Sequence, residues 1–488
     1  CCNIVKSIIY RLHFFVNNSK ILVSEMSKSP LCADHGMFCL FCSFGTEWVR
    51  RCFKLKIYEL AKEVNPYVVE MRRYFHEHPE LSNQEDKTIE RIGQELAGMG
   101  IEYEVVPHGG IVAILEGKTP GKGKTVLLRA DCDALPVQET KENLAGPRVC
   151  CSKVDGVMHA CGHDGHTAML LGAAKILKEH LDEVHGRIIL FFERAEENGG
   201  GIPQMLAYMD EKGLKPDTVW GIHLYAGLES GKMGLLDGGT MASVFGFNVT
   251  IHGKGGHGSR PDQANSPIDC FVAIYNALEA ARLTKITPFQ PLTVSVGLLQ
   301  AGAVGNVIPN DLTFAGTARF YDRDLVGMPF RNYFFQMVEG IAAAYGCTVS
   351  YNSITEPAFA VSNDPECAAF ARKVIGEELG NDVIAFPEPW MASESFSQLQ
   401  KLWPGVFALL GINNPEKGTG AAHHNEYFDL DEDVFKLGVA GAVTYALRFL
   451  DGDVDTSSRQ WKGSVRDLFT ELGVKPEVID SYYKAIHE

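Results

Sequence analysis

The sequence predicts an α/β fold, a mostly parallel sheet with helices on both faces, carrying an inserted α+β unit with a ferredoxin-like antiparallel sheet. Three observations point there. Short apolar runs at 125–130, 187–192 and 218–222 have the composition of strands covered on both faces. Helical patterns at 166–183 and 203–212 alternate with them, as a parallel sheet requires. Between 236 and 355 the character changes. Half-buried alternation marks strands at 245–254, 292–302 and 312–320, helical spacing marks 267–283 and 329–344, and a last strand falls at 347–351.

The remaining segments follow in order. Residues 1–54 read as an extension outside the fold, rich in Cys and Phe without periodicity. A helix over 54–79 places Leu60, Val64, Val68, Met71 and Phe75 on one stripe, and Pro79 ends it. A second amphipathic helix runs over 87–99 and stops at Gly100. The catalytic domain therefore spans 55–235 and resumes over 356–450, with 236–355 inserted into it. Residues 451–488 form a polar C-terminal extension with one helix-like piece and no motif.

Length and composition set bounds. A chain of 488 residues is too long for one ordinary core. Its 45% hydrophobic and 22% charged residues are those of a soluble globular protein. A net charge of −16 argues against nucleic acid and anionic membranes as partners. No apolar run reaches the roughly 18 residues of a transmembrane helix. The 13 cysteines are odd in number and scattered beyond an N-terminal crowd, which suits reduced thiols in a cytoplasmic enzyme. Cys39 and Cys42 form a lone CxxC with no second pair to match it.

The chemistry-bearing residues fall just past the predicted strands, where the ligand crevice of an open α/β sheet lies. Asp131 and Asp133 follow the first run, Glu196 and Glu197 the second, and His223 the third. The run 406–412 leads to His423, His424 and Asn425. Cys161 and His163 stand two apart before a helical pattern. In an extended loop, residues two apart point the same way, so both can face one ion. Thiolate, imidazole and carboxylate together suit zinc or another borderline divalent ion. Adjacent side chains at a strand end diverge, so one of Glu196 and Glu197 can ligate while the other handles a proton. Only one of His423 and His424 is expected to face the metal. His257, set among glycines in the inserted segment, is a candidate electrophile or carboxylate clamp.

RADCDALPVQE at 129–139, MHACGHDGHTAMLLGAAK at 158–175, AEENGGG at 195–201, GIH at 221–223, GKGGHGSRP at 253–261, GNVIPN at 305–310, GTARF at 316–320, ASESFSQL at 392–399 and AAHHNEYFD at 421–429 occur in that order. The series resembles the M20 metallopeptidase superfamily, on the branch of the N-acyl-amino-acid amidohydrolases, hippurate hydrolases and plant auxin-conjugate hydrolases, over about 57–450. The resemblance implies two divalent metal ions, zinc or manganese first and cobalt or nickel tolerated, held by Cys161, His163, Glu197, His223 and His424. Cys161 takes the place of a bridging aspartate of other branches. Glu196 is implied as general base and acid, and Asp133 as an acid that orients a ligand. The inserted domain is implied to act as a lid and to dimerise, so that His257 reaches the partner's site and Asn306 helps hold the substrate carboxylate. The implied reaction is hydrolysis of the amide bond of an N-acyl amino acid or related small amide. A dipeptidase or carboxypeptidase of the same superfamily is the alternative, and a catalytically inactive ligand-binding homologue is the alternative from another class.

Three departures from the family pattern stand out. Glu193-Arg194 replaces the usual Gln-Pro, and Ser393-Glu394-Ser395-Phe396 replaces Ser-Glu-Asp-Phe. An insertion-like stretch, 143–153, precedes the metal loop. None of them removes a ligand or the base.

Overall fold

The computed structural model describes residues 55–119 and 121–488. The 1–54 extension, with Cys39 and Cys42, lies outside the described residues. Helix α1 (Ile57–Glu77) buries Ala61, Val64, Val68, Met71 and Phe75 at helical spacing. Helix α2 (Asp86–Gly98) leads to antiparallel β1 (Tyr103–Val106) and β2 (Gly110–Glu116). Then come β3 (Thr125–Asp131), α3 (His163–Glu179), β4 (Arg187–Glu193), α4 (Ile202–Glu211) and β5 (Thr218–Glu229). Short strands β6 (Met233–Gly234) and β7 (Gly238–Met241) close this part.

The inserted part holds β8 (Ser243–His252), β9 (Gly256–His257), α5 (Pro267–Thr284), β10 (Leu292–Ala301), β11 (Val307–Ile308), β12 (Asp311–Phe320), α6 (Met328–Ala344) and β13 (Thr348–Thr355). Its sheet runs β10-β12-β8-β13, antiparallel throughout. Alternate residues of β8, Phe245, Phe247, Val249 and Ile251, turn inward against Phe330 and Phe334 of α6. The chain returns through β14 (Val361–Asn363), which pairs antiparallel with β7. The outgoing and incoming connections therefore lie side by side.

The last part contains α7 (Pro365–Leu379), β15 (Ile384–Ala385), α8 (Phe396–Leu402), β16 (Gly405–Asn413), α9 (Phe435–Asp451), α10 (Val465–Glu471) and α11 (Pro476–Ala485). The large sheet has eight strands in the order β1-β2-β4-β3-β5-β16-β6-β15. Its centre, β4-β3-β5-β16, is parallel, and antiparallel pairings flank it. Helices α1, α3 and α9 pack together over one face. On the other face α4, α8, α10 and α11 bury Met205, Phe396, Leu399, Leu468, Phe469 and Ile479 against Leu127, Ile189, Val219 and Phe407. Coverage of both faces explains the uninterrupted apolar runs. No helix among the described residues is long and apolar enough to cross a membrane.

Three local expectations change. Helix α3 begins at His163, not 166, because Gly162 turns the chain through a left-handed φ of 98° just before it. Strand β5 runs on past 222 to Glu229, so His223 lies within a strand rather than beyond one. The C-terminal stretch holds more than one helix-like piece. It forms two helices whose apolar residues complete one face of the sheet.

Candidate metal centre

Residues from four chain segments meet at the carboxyl ends of the parallel strands. The first turn of α3 is tied down on every side. His166 shares a 2.6 Å hydrogen bond between its Nδ1 and Asp131 Oδ1, and the Leu224 amide donates to its Nε2 at 2.9 Å. Thr167 Oγ1 donates to the Asp131 carbonyl. Asp164 pairs with buried Arg72 and His76. These contacts fix His163 and, through left-handed Gly162, Cys161. The two converge across that turn, not along an extended loop.

The ligand-type atoms then gather. Cys161, His163 and His223 bring Sγ and two ring nitrogens within 4.8 Å of one another, and Cys161, Glu197 and His424 form a second such group. Cys161 belongs to both. His223 Nε2 stands 3.6 Å from Cys161 Sγ. Glu197 Oε1 is 3.8 Å from His163 Nε2 and 3.4 Å from His424 Nε2. Bonds of about 2.0–2.3 Å around a tetrahedral ion put neighbouring ligand atoms about 3.3–3.8 Å apart, the spacing seen here.

Tautomers fit the same purpose. His163 Nδ1 faces Asp133 Oδ1 at 3.0 Å, and His223 Nδ1 donates to the Leu224 carbonyl at 2.7 Å. In its neutral form each ring therefore turns the Nε2 lone pair toward the common centre. Asp133 also accepts from Ser82 Oγ and from the Glu197 amide, so it orients two of the gathered residues at once. His424 has a left-handed φ of 62° and donates its amide to the Ala160 carbonyl, which seats it beside Cys161.

Two atoms in this group are buried without a hydrogen-bond partner, His163 Nε2 and Glu197 Oε1. A lone pair left so is costly unless a cation takes it. The titration balance agrees. Burial works against the charged form of His163, yet Asp131, Cys161 and Asp133 outweigh it and push its pKa well up. Burial, with the Glu197 carboxylate beside it, also pushes the Cys161 thiol well up. The pocket demands positive charge, and divalent ions supply it while keeping the sulfur as thiolate. The donor set fits them. In a third group, Asp131 with His163 and His166, Asp131 and His166 are already taken up by hydrogen bonds to each other, to Arg129 and to the Leu224 amide.

Glu196 lies beside the centre on a short 3-10 turn, and its Oε1 accepts from the Ser395 amide at 2.9 Å. Burial, then the Glu394 and Glu197 carboxylates, push its pKa well above the ordinary range. A cleft of about 430 Å³ opens over Glu196, Glu197 and Cys161. Trp390, Met241 and Ala392 give it an apolar wall. Arg319, carried in on β12 of the inserted part, forms no ion pair among the described residues and reaches Ser393 Oγ at 3.1 Å.

Sequence reasoning placed Cys161, His163, Glu196, Glu197, His223, His424 and Asp133, and the fold brings all seven together. His257 and Asn306 fall elsewhere. They lie together on the β9–β11 ribbon, where Gly258 donates to the Asn306 carbonyl, and neither lines the cleft of this chain. His423, set aside in favour of its neighbour, turns Nδ1 to 3.9 Å from Cys161 Sγ while its Nε2 accepts from the Ala226 amide. It therefore offers the sulfur an N–H. Arg319 sits in the GTARF run, whose strand pattern was read while its arginine went unused. Trp390, packed on His223 and His423, carried no signal in its local sequence.

Comparison with known proteins agrees with this architecture. Residues 127–448 match the family model described as peptidase family M20/M25/M40. Thermostable carboxypeptidase 2 of Saccharolobus solfataricus is 36% identical over 393 residues, 80% of this chain and 97% of the relative. N-acyl-L-amino acid amidohydrolase of Geobacillus stearothermophilus is 39% identical over 300 residues, 61% of this chain and 78% of the relative. A solved Bacillus subtilis structure, described as a dinuclear metal-binding peptidase from the M20 family, superposes with a TM-score of 0.66 at 31% identity. It covers 80% of this chain and 99% of its own. A metal-type donor set at the strand ends, in a chain that covers 97% of one such relative and 99% of another, leads to one conclusion: the chain belongs to the M20 peptidase family and is a metal-dependent amidohydrolase.

Proposed function

We propose that the chain hydrolyses the amide bond of N-acyl amino acids or related small amides, with Glu196 as the proton-handling group. The observation that carries this is the pair of partnerless buried atoms, His163 Nε2 and Glu197 Oε1, with Glu196 beside them in an open cleft. Cys161, His163, Glu197, His223 and His424 hold two divalent ions, zinc or manganese first and cobalt or nickel tolerated. When bound, these ions polarise the scissile carbonyl and acidify the attacking water. Glu196 takes that water's proton and later returns it to the leaving amine. Its raised pKa suits a group that must hold the proton between the two steps. Arg319, a half-buried guanidinium with no carboxylate partner, is placed to take the carboxylate of the amino-acid half. The apolar wall at Trp390 and Met241 suits an uncharged acyl group.

The inserted part serves as a ferredoxin-like lid and dimerises. Its α5 presents Ile268, Val272 and Tyr275 to solvent at helical spacing, and β10 is an edge strand, which supports a second copy docking there. His257 of the partner subunit then completes the site. Ser259 donates its amide to His257 Nδ1, so the proton sits on the exposed Nε2, ready to meet a carbonyl oxygen. Asn306, beside His257 on the same ribbon, helps hold the substrate carboxylate. The seven described cysteines are all unpaired, which supports the reducing cytoplasm as its compartment.

A dipeptidase or carboxypeptidase is the second reading, because Arg319 would hold the carboxylate of a peptide equally well. Apo-protein reloaded with each metal and given N-acyl amino acids and dipeptides in parallel separates the two. Wild type should turn over the acyl substrates with a Glu196→Gln variant about 10³-fold slower in kcat or worse. Undiminished turnover in Glu196→Gln, or no amide cleavage with any metal, rejects the assignment.

A further inference from the structure

Behind Glu196 lies a buried cluster that the mechanism does not use. Arg129, on β3, is 3% exposed and faces three carboxylates. Its Nε donates to Glu193 Oε2 at 2.8 Å, its Nη1 to Asp131 Oδ2 at 2.6 Å, and its Nη2 stands 2.8 Å from Glu394 Oε1. The same Nη2 donates to Ser395 Oγ at 2.8 Å. The Ser395 hydroxyl in turn donates to Glu193 Oε1 at 2.6 Å. Ser395 also supplies the amide that Glu196 accepts. One residue thus joins the cluster to the base.

Glu193 and Ser395 are two positions where the chain departs from the family motif, glutamate standing for glutamine and serine for aspartate. They lie 202 positions apart and touch. The two changes together leave the number of acids around Arg129 the same, moving one negative charge from the α8 side to the β4 side. A charge added or removed alone would upset a site where no water screens it. Exchange of both reverses the direction of one hydrogen bond: serine gives its proton to Glu193 here, whereas a glutamine at 193 would donate to an aspartate at 395.

We propose that Glu193 is a positioning residue for Glu196, acting through the Ser395 hydroxyl, and that glutamate at 193 with serine at 395 is a matched pair. It rests on Glu196 as the proton-handling group. The pair fixes the Ser395 backbone, whose amide pins one oxygen of Glu196 and leaves the other to the cleft. Misplacement of a reacting group by about 1 Å costs about 10²-fold in rate, so a loosened pin falls on kcat. The proposed carboxylate contact at Arg319 is left alone.

The test uses the metal-loaded full chain with the best N-acyl substrate of the panel, reading kcat, KM, bound metal per chain and Tm. Glu193→Gln and Ser395→Ala should each lower kcat about 10-fold or more, with KM and bound metal near wild type. Their double variant should be no slower than the worse single, because both break one unit. Ser395→Asp sets two carboxylates in contact and should lower Tm. Glu193→Gln/Ser395→Asp should recover both Tm and at least about 10-fold in kcat over Ser395→Asp. A double variant with losses equal to the product of the singles overturns the proposal. So does wild-type kcat in Glu193→Gln, or a parallel fall of kcat, KM and Tm. If Ser395→Asp does not fold, soluble Glu193→Gln/Ser395→Asp supports the pair and an unfolded one overturns it. Glu196→Gln, run alongside, separates the two readings. Full activity there removes the role of Glu196, while the Tm coupling between 193 and 395 still decides whether the pair is matched.

Discussion

Glu193 shows how one side chain sets a pH dependence for the whole chain. Burial, only partly offset by Arg129, raises its pKa from 4.5 to about 7. Between those values the folded chain keeps a proton that the unfolded chain has shed. The stability it contributes is therefore complete below about 4.5 and is lost as pH rises toward about 7. Glu193→Gln has no such titration. The gap in denaturant midpoint between wild type and this variant should move in the variant's favour from about pH 5 to about pH 7 and stay level above. A gap that is constant across the range shows that Glu193 does not titrate there. His423 belongs to the same scale. Burial, with His424 next to it, pushes its pKa down to about 3, so it stays neutral and serves Cys161 only as an N–H donor.

The insertion before the metal loop acts as an element. Arg148, its side chain fully enclosed, donates to the carbonyls of Thr140, Glu426 and Phe428. Asn143 adds bonds to the Lys417 carbonyl and Asp429. The insertion therefore grips the loop that carries His423 and His424 from both ends. Arg148→Met should leave the fold intact and loosen that grip. Loss of metal to a chelator should be about 10-fold faster than in wild type, measured by metal release with no substrate present. An unchanged release rate would show that the loop holds its shape alone. The ligands themselves were legible in the sequence because each sits in a short motif with its own local reason, Gly162 before His163 or the glycines after Glu197. The grip on them was not. Cys161 and His423 are 262 positions apart, and Arg129 and Ser395 are 266. Periodicity fixes which face of a helix is buried, but not which distant loop lies against it. The inserted sheet was readable for the same reason in reverse, since alternation along β8 is local and regular.

At the scale of the molecule, the C-terminal helices join parts that the sequence left separate. Glu471 receives Arg323 of the inserted part and Lys401 of α8, and Tyr483 donates to Asp210 of α4 at 2.6 Å. Phe469 is 1% exposed within the shared core. Phe469→Ala should cost about 3–5 kcal/mol, read as a lower denaturant midpoint of the entire chain. A loss confined to the last helices, with the main transition unmoved, would make the C-terminal stretch a separate folding unit. The paired connections β7 and β14 have a further consequence. Two strands hydrogen-bonded edge to edge resist shearing and twisting more than bending, so closure of the inserted part, as proposed above, would follow the single hinge of a door. Arg319 lies on one side of that hinge and Glu196 on the other. A substrate whose carboxylate met Arg319 while its amide met Glu196 would then be the latch, and an amide without a carboxylate would leave the door unfastened.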